Sequence, residues 1–162
     1  MFLVSLFLIS WTLCSIVESD DKTYGDAVVE VISIYDGDTF FVDICNWPDI
    51  IGKRVGVRIN GIDTPEVRTK NNYEKMLARA AKEAVVEKLR NADKVELKNI
   101  KRGKYFRIVA DVIVDGDDLG SLLISRRLAK AYDGNTKPKW SEKDYNDYLK
   151  TRIFEYFDSL KK

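Results

Sequence analysis

The sequence predicts an α+β fold, a small barrel of five β-strands with about three α-helices, preceded by an N-terminal hydrophobic segment. Short runs rich in β-branched and aromatic residues are separated by turn residues, and a helical run interrupts them after the third. Two further helical runs follow the fifth. With 162 residues, 45% of them hydrophobic and 33% charged, we expect one globular domain with a single core.

The first 19 residues differ in composition from the rest of the chain. Residues 2–17 are nearly all apolar, and the charged Glu18 and Asp20 follow directly. We expect residues 1–19 to be a signal peptide or an uncleaved membrane anchor, and residues 20–162 to form the folded domain. The run lacks the basic residues that usually precede a signal, and a buried helix is the alternative. Both favoured interpretations predict a secreted or cell-surface protein.

Five segments have the composition of β-strands. They are rich in Val, Ile, Phe and Tyr, and the Asp36-Gly37 and Arg102-Gly103 pairs between them are typical of hairpin turns. The segments are 27–34, 39–44, 53–59, 94–100 and 105–114.

Three stretches repeat apolar residues at the spacing of an α-helix: 73–90, 118–130 and the region from Ser141 onward. Ser141 and Asp144 resemble a capping box at the start of the third, and we assign its apolar stripe, residues 145–160, to the core. Five strands interrupted by a helix after the third favour a Greek-key barrel of the OB type, a scaffold that often binds oligonucleotides. Fold alone does not establish function.

The absence of histidine excludes several kinds of catalytic site. No Ser-His-Asp triad, histidine-ligated zinc or histidine general base can form, so acid–base chemistry falls to carboxylates, Lys, Tyr or Cys. Cys14 and Cys45 are too few for a metal cluster. The formal net charge of +1 is too small to steer a polyanion, so a nucleic-acid role would need a local basic surface.

Two arginines lie on predicted strands but outside the core face. Alternation with Val57 and Ile59 turns Arg58 towards solvent, and alternation with Phe106 as an inward residue turns Arg107 outward. Neither arginine has an evident structural task in the sequence. Two guanidinium groups on one surface can hold a phosphate through paired hydrogen bonds.

Three carboxylates are predicted to meet at one end of the sheet. Asp38 follows a turn, and Asp63 and Glu66 flank Pro65 where the third strand ends. Without histidine, such a site offers oxygen ligands suited to Ca²⁺ or Mg²⁺. A divalent ion beside two arginines suits attack on a phosphodiester, with Glu66 orienting or deprotonating water. Each motif alone is typical of a turn or a solvated charge, and their combined spacing favours a site.

Three motifs in this order resemble the signature of the staphylococcal nuclease (thermonuclease-like) family. They are Tyr-Asp-Gly-Asp-Thr at 35–39, Arg-x4-Asp-Thr-Pro-Glu at 58–66, and Lys-Tyr-Phe-Arg-Ile-Val-Ala at 104–110. The segment at 128–132 resembles the region that follows the second helix in that family, and the resemblance covers residues 27–132. It implies an OB-type barrel with three helices and Ca²⁺-dependent endonucleolytic hydrolysis of DNA and RNA to 3′-phosphates, by a chain we expect to be monomeric.

The resemblance also implies a role for each matching residue. Asp38 and Asp63 would bind Ca²⁺ through carboxylates and Thr64 through its main-chain carbonyl. The implied catalytic residues are Arg58 and Arg107, which would contact the phosphate, and Glu66, which would act as general base or position the water. Lys104, Tyr105 and Tyr132 match positions near the nucleotide-binding pocket.

Two departures and two alternatives stay open. Residues 45–52 lengthen the hairpin between the second and third strands, and Asn60-Gly61 interrupts an apolar run and is expected to loosen the strand end. One alternative is a non-catalytic nucleic-acid- or protein-binding module on the same fold. The other is a calcium-binding structural protein, prompted by Asp115-Gly-Asp-Asp118, although that spacing does not fit an EF-hand loop. A membrane tether through residues 2–17 is also expected.

Overall fold

The computed structural model describes residues 23–161, which fold as a curled mixed sheet with four helices. The predicted α+β fold of the OB type is confirmed. The prediction for residues 1–19 lies outside the described residues. Within 23–161, no helix combines the length and the apolarity that crossing a bilayer requires.

The strands follow the predicted segments with shifted ends. The first segment divides into β1, which pairs with β6, and β2, which pairs with β3. Between them, the N–H of Val29 donates to the Val95 carbonyl. Three two-residue strands were not predicted. The strands are β1 Ala27–Val28, β2 Glu30–Ile34, β3 Thr39–Asp43, β4 Val55–Ile59, β5 Ile62–Asp63, β6 Val95–Arg102, β7 Ile108–Val114, β8 Asp117–Asp118 and β9 Lys130–Ala131.

The order of strands in the main sheet is β1-β6-β7-β4-β3-β2, with β8 on β7. Its described pairs are antiparallel except for β4 and β7, which run parallel. The register places Thr39 opposite Arg58 on one side of β4 and Val109 opposite Arg58 on the other. A second small sheet pairs β5 with β9. Because of this order, segments distant in sequence meet beside Arg58.

The helices are α1 Asp49–Gly52, α2 Asn72–Arg90, α3 Leu119–Ser125 and α4 Glu142–Ser159. The single-turn α1 lies in the lengthened hairpin. The prediction of a helix over 118–130 was too long, because Arg127 adopts a φ of +60° and ends the helix in a turn. That turn places Leu128 and Ala129 in the core before β9 begins. The first turn of α4 is capped as predicted, since Asp144 accepts hydrogen bonds from the N–H and hydroxyl of Ser141.

The core lies between the sheet and α2, with α3 closing one end. It is built from apolar side chains that alternate along the strands or repeat along the helices. Its largest fully buried members are Phe40, Ile44, Ile59, Leu77, Leu97, Ile100, Leu119 and Leu123. The predicted core stripe of α4 is only half correct. Tyr145 and Tyr148 pack against the core, whereas Ile153, Tyr156, Phe157 and Leu160 are more than half exposed.

The Asp-rich turn at 115–118 has local structural tasks. Asp115 accepts a hydrogen bond from the N–H of Lys94, Asp117 pairs with Lys88, and Asp118 caps α3 by accepting from the N–H of Ser121. Asn60 likewise ties β4 down, because its N–H donates to Ala110 and its amide donates to Asp111. The expected loosening at Asn60-Gly61 is therefore wrong.

Candidate active site

The turn before β3 brings Asp38 to the end of the sheet. Gly37 allows the close approach, since a Cβ there would lie 2.9 Å from the Cβ of Ala81 and 3.0 Å from the Oγ1 of Thr64. The carbonyl of Asp38 accepts the N–H of Ile59, and its Oδ1 accepts the hydroxyl of Thr39 at 2.9 Å. Hydrogen bonds to both the main chain and the side chain of Asp38 therefore fix the position of its carboxylate.

Arg58 lies between two buried carboxylates. Its Nη1 is 2.7 Å from Oδ2 of Asp38, and its Nη2 is 3.1 Å from Oδ1 of Asp63. The side chains are 18%, 5% and 2% exposed respectively. Strand alternation correctly turned Arg58 out of the core, and its side chain keeps limited exposure because the two carboxylates cover part of it. The face of β4 that points away from the core is covered at Arg58 by the Asp38 and Asp63 carboxylates. Buried carboxylates need a cationic partner, and Arg58 provides it.

Thr64 follows Asp63 directly and is also buried. Its N–H points at Oδ2 of Asp38, 3.4 Å away. Short strand β5, paired with β9, holds this segment against the end of β4. Asp38, Asp63 and Thr64 therefore gather at one place, although 26 residues separate the first from the last.

Two aspartates at this end have raised pKa values. Burial raises the pKa of Asp63, and the Asp38 carboxylate adds to that effect, whereas Lys137 and Arg58 oppose it. Burial, followed by the Asp38 charge, raises the pKa of Asp36 to about 6. Crowded, partly desolvated carboxylates of this kind favour the approach of a cation. Asp36 was predicted only as a turn residue, and the Asp-x-Asp spacing was the signal that it joins the site.

Glu66 lies beyond Pro65 and is about half exposed, at 53% of its side chain. Its Oε1 accepts a hydrogen bond from Nζ of Lys137, which also lies 3.6 Å from Oδ1 of Asp63. The hydrogen bond to Glu66 is the main reason that the pKa of Lys137 is raised. Lys137 was missed by sequence reasoning because it lies 71 residues from Glu66 in an irregular loop.

Arg107 belongs to a turn rather than to a strand. The N–H of Gly103 donates to the Arg107 carbonyl, and β7 begins only at Ile108. Tyr105 and Phe106 adopt φ values of +56° and +62° and are 89% and 75% exposed. The prediction that Phe106 faces the core was therefore wrong, because two left-handed residues break the strand alternation that it assumed.

The stem of Arg107 lies against β4. A Cβ on Gly56 would be 3.0 Å from Cγ of Arg107, so glycine leaves the room that the arginine occupies. Within residues 23–161, no hydrogen bond or ion pair engages the Arg107 guanidinium. Arg107 thus reaches the site with its donors available.

Tyr132 closes the site on the side of β9. Its N–H donates to the Gly61 carbonyl at 2.9 Å, and its hydroxyl donates to the Asn135 carbonyl at 3.3 Å. The guanidinium carbon of Arg58 is 5.8 Å from the centre of the Tyr132 ring, within the range of a cation–π contact.

These residues line one cleft of about 1190 Å³. Of the nine predicted site residues, eight line its wall, and Asp63 lies beneath it in contact with Arg58. Residues 45–52 are not among the described residues that line it, so the longer hairpin does not shape its rim. The eight that line the cleft are Asp38, Arg58, Thr64, Glu66, Lys104, Tyr105, Arg107 and Tyr132.

The inner end of the cleft fits a hard divalent cation. Asp38 and Asp63 are buried carboxylates, and the adjacent main-chain carbonyl of Thr64 is a third oxygen donor of the kind that Ca²⁺ prefers. Glu66 does not form a three-carboxylate group with them, and its Oε1 instead accepts a hydrogen bond from Lys137, which also lies near Asp63. Among residues 23–161, no group of three or more Asp, Glu or Cys side chains is arranged to hold a metal. The predicted convergence of three carboxylates is therefore not seen in this arrangement.

The fold and the cleft define a class: α+β proteins with an OB-type barrel that carries arginines and carboxylates at one end. Comparison with known families makes the assignment specific. The model of the staphylococcal nuclease homologue family matches residues 56–153, more than half of the chain, and the chain belongs to that family. Its members are in general nucleases. Comparison with curated proteins gave no significant match.

Asp38 lies outside the matched residues, whereas Arg58, Asp63, Thr64, Glu66 and the rest of the predicted site lie within them. The contacts of Asp38 with Arg58, Ile59 and Thr64 join the N-terminal strands to the matched region at the site.

Proposed function

We propose that this chain is a Ca²⁺-dependent endonuclease that hydrolyses phosphodiester bonds of DNA and RNA. The observation that carries the proposal is the Arg58 guanidinium, held between two buried carboxylates in a cleft where Arg107 has no partner among the described residues. Membership of a family of nucleases supports the same reaction class.

Asp38, Asp63 and the Thr64 carbonyl would hold the metal. When bound, Ca²⁺ supplies positive charge to a phosphate oxygen and favours ionisation of water. The two aspartates are already close to a shared cation, because Arg58 bridges them. Both aspartates are buried, so little bulk water screens their negative charges, and their attraction for such an ion is stronger.

The two arginines have different tasks in this proposal. Arg58 is oriented by its carboxylate partners, so its remaining N–H groups point in fixed directions. Arg107 comes from the loop before β7, and among the described residues no hydrogen bond or ion pair engages its guanidinium, so its fork is available for a phosphate. Charge that builds on the phosphate as water attacks would be met by both arginines, and preorganised donors of this kind lower the barrier substantially.

Glu66 would orient or deprotonate the attacking water. It lines the cleft next to the buried carboxylates and remains half exposed, so water reaches it. In a chain without histidine, a carboxylate is a natural group for this step. Lys104 and Tyr105 at the rim, and Tyr132 on the β9 side, would contact the nucleotides that flank the bond.

The test is digestion by the purified full chain of single-stranded DNA and of RNA, with Ca²⁺ and then with a chelator. We expect cleavage that stops on chelation. The Glu66→Gln variant should lower the cleavage rate by about 10²-fold or more. Lys53→Ala is the control, because Lys53 forms an exposed ion pair with Asp43 in the distant hairpin. Cleavage by Glu66→Gln at the wild-type rate would instead favour the non-catalytic alternative for this site, with a contaminant as the nuclease.

We further propose that residues 1–19 direct the chain across a membrane, either as a cleaved signal or as a tether, and that the domain acts as a secreted or cell-surface monomer. The apolar run at 2–17, followed by charge, supports this proposal. Mass spectrometry of the chain recovered from the medium and from membranes tests it. A mature N-terminus at Asp20 indicates cleavage, and an intact chain in the cytosolic fraction contradicts export.

A further inference from the structure

We infer that Lys137 is a positioning residue that holds the Glu66 carboxylate at the metal end of the cleft. This inference rests on the proposed function and concerns a residue outside the predicted site. It follows from two contacts, since Nζ of Lys137 donates to Oε1 of Glu66 and lies 3.6 Å from Oδ1 of Asp63. One ammonium group thereby links the exposed carboxylate to the buried one.

Glu66 needs such a partner because little else fixes its side chain. Its N–H donates to Oε1 of Glu74, 3.3 Å away, which anchors the main chain of Glu66 but leaves its carboxylate unheld. Among residues 23–161, Lys137 is the one group with a polar contact to that carboxylate. A glutamate side chain that is half exposed and unheld samples several rotamers, and few of them place its oxygens beside Asp63.

Lys137 is itself well placed, because its loop has internal hydrogen bonds before it and is attached to the core after it. Asp133 accepts hydrogen bonds from the main chain and the side chain of Asn135. Beyond Lys137, the carbonyl of Lys139 accepts Nζ of Lys130 at 2.8 Å, and Trp140 is buried in the core. These contacts order the loop, and they set the position from which Lys137 reaches Glu66.

A second possibility is that Lys137 binds the phosphate directly, as a further cation of the cleft that it lines. The two roles differ in how Lys137 depends on Glu66. A residue that acts through Glu66 loses its effect when Glu66 is removed, whereas a phosphate contact adds its effect independently.

The experiment measures kcat and KM of the full chain on single-stranded DNA in saturating Ca²⁺. Lys137→Met removes the charge, Lys137→Arg retains it, and Lys139→Met is a matched control. Lys139 is an exposed lysine of the same loop and does not belong to the described lining of the cleft. We expect Lys137→Met to lower kcat by about tenfold with KM within about twofold of wild type. Lys137→Arg should restore most of the activity, and Lys139→Met should match wild type.

The double variant decides between the two roles. Adding Lys137→Met to Glu66→Gln should cause no further loss. A further loss, or a rise in KM at unchanged kcat, indicates a phosphate contact and overturns the positioning role. Wild-type kcat in a folded Lys137→Met protein also overturns it. Should that variant not fold, Lys137→Gln provides the same comparison. A wild-type chain that does not cut refutes the proposed function itself, and the present inference with it.

Discussion

The two walls of the cleft are built in opposite ways. The carboxylate wall, formed by Asp38, Arg58, Asp63 and Thr64, is largely buried, and its charged groups are already paired with one another. The loop wall, formed by residues 104–107, is exposed, has two left-handed residues, and presents an arginine with no described partner. Folding alone completes the first wall, whereas the second keeps its donors for a ligand. Substitutions should therefore affect stability on one side and turnover on both.

The largest effect is expected from Arg58→Ala. Its removal takes the paired cation from buried Asp38 and leaves Asp63 with the more distant Lys137, so we expect a loss of about 3 kcal/mol in the free energy of unfolding without metal. Nuclease activity should fall by about 10³-fold or more, because the oriented phosphate donor is lost. Denaturant unfolding with and without Ca²⁺ checks the first part. Ca²⁺ should restore part of the stability, since it replaces the missing charge, and no restoration would count against a metal at this wall.

Arg107→Ala should separate activity from stability. We expect activity to fall by about 10²- to 10³-fold, while the free energy of unfolding stays within about 0.5 kcal/mol of wild type. The same unfolding and cleavage assays measure both. A loss of stability as large as that of Arg58→Ala would remove the distinction between the walls.

Gly56→Ala tests the contact by which the sheet supports the loop wall. The added Cβ would lie 3.0 Å from Cγ of Arg107, so the arginine must shift. A small displacement of a phosphate donor should lower kcat/KM by about tenfold. The Gly56→Ala/Arg107→Ala double variant is the control, because it should be no less active than Arg107→Ala alone. Additional loss in the double variant would show that the effect passes through another residue.

The smallest effect concerns the acidity of Asp36, which lies beside the carboxylate wall. The folded state raises the pKa of Asp36 from 3.8 to about 6, so it favours the protonated acid. That contribution to stability is fully present below about pH 3.8 and is lost as the pH rises through about 6. Asp36→Asn cannot ionise, and without metal it should exceed wild type in stability above about pH 7 by on the order of 1 kcal/mol, allowing for solvent screening.

Thermal or denaturant unfolding between about pH 3 and pH 8 measures this difference. It should shrink towards zero in acid, where Asp36 is protonated in the folded and the unfolded chain alike. An advantage of Asp36→Asn that is constant across the whole range would show that it comes from packing rather than from charge.

Much of the fold and most of the site could be predicted from the sequence. Periodicity located the main strands and α2. Three motifs identified seven residues that line the cleft, and the segment at 128–132 identified the eighth, Tyr132. Strand alternation also predicted that Arg58 points away from the core. Alternation gives the side of the sheet on which a residue lies, but not which other segments pack against that side. The Asp38 and Asp63 carboxylates that pair with Arg58 come from other segments, so its burial could not be read from β4 alone.

The remaining errors share a cause in irregular backbone. Tyr105 and Phe106 adopt left-handed conformations, so the alternation of a strand does not hold there. For that reason Phe106 was wrongly placed in the core. Lys137 lies in a loop, far along the chain from Glu66, where no period or spacing relates them. Such contacts depend on tertiary folding, and the sequence alone carries little signal of them.

The most direct test of the central claim is a Ca²⁺-titrated digestion of DNA and RNA oligonucleotides labelled at either end, with the product ends identified. If the two walls together hold a phosphodiester for attack by water, fragments from internal cuts should appear in both substrates, carry 3′-phosphates, and vanish on chelation. A folded preparation that binds Ca²⁺ and leaves both substrates intact would contradict the account.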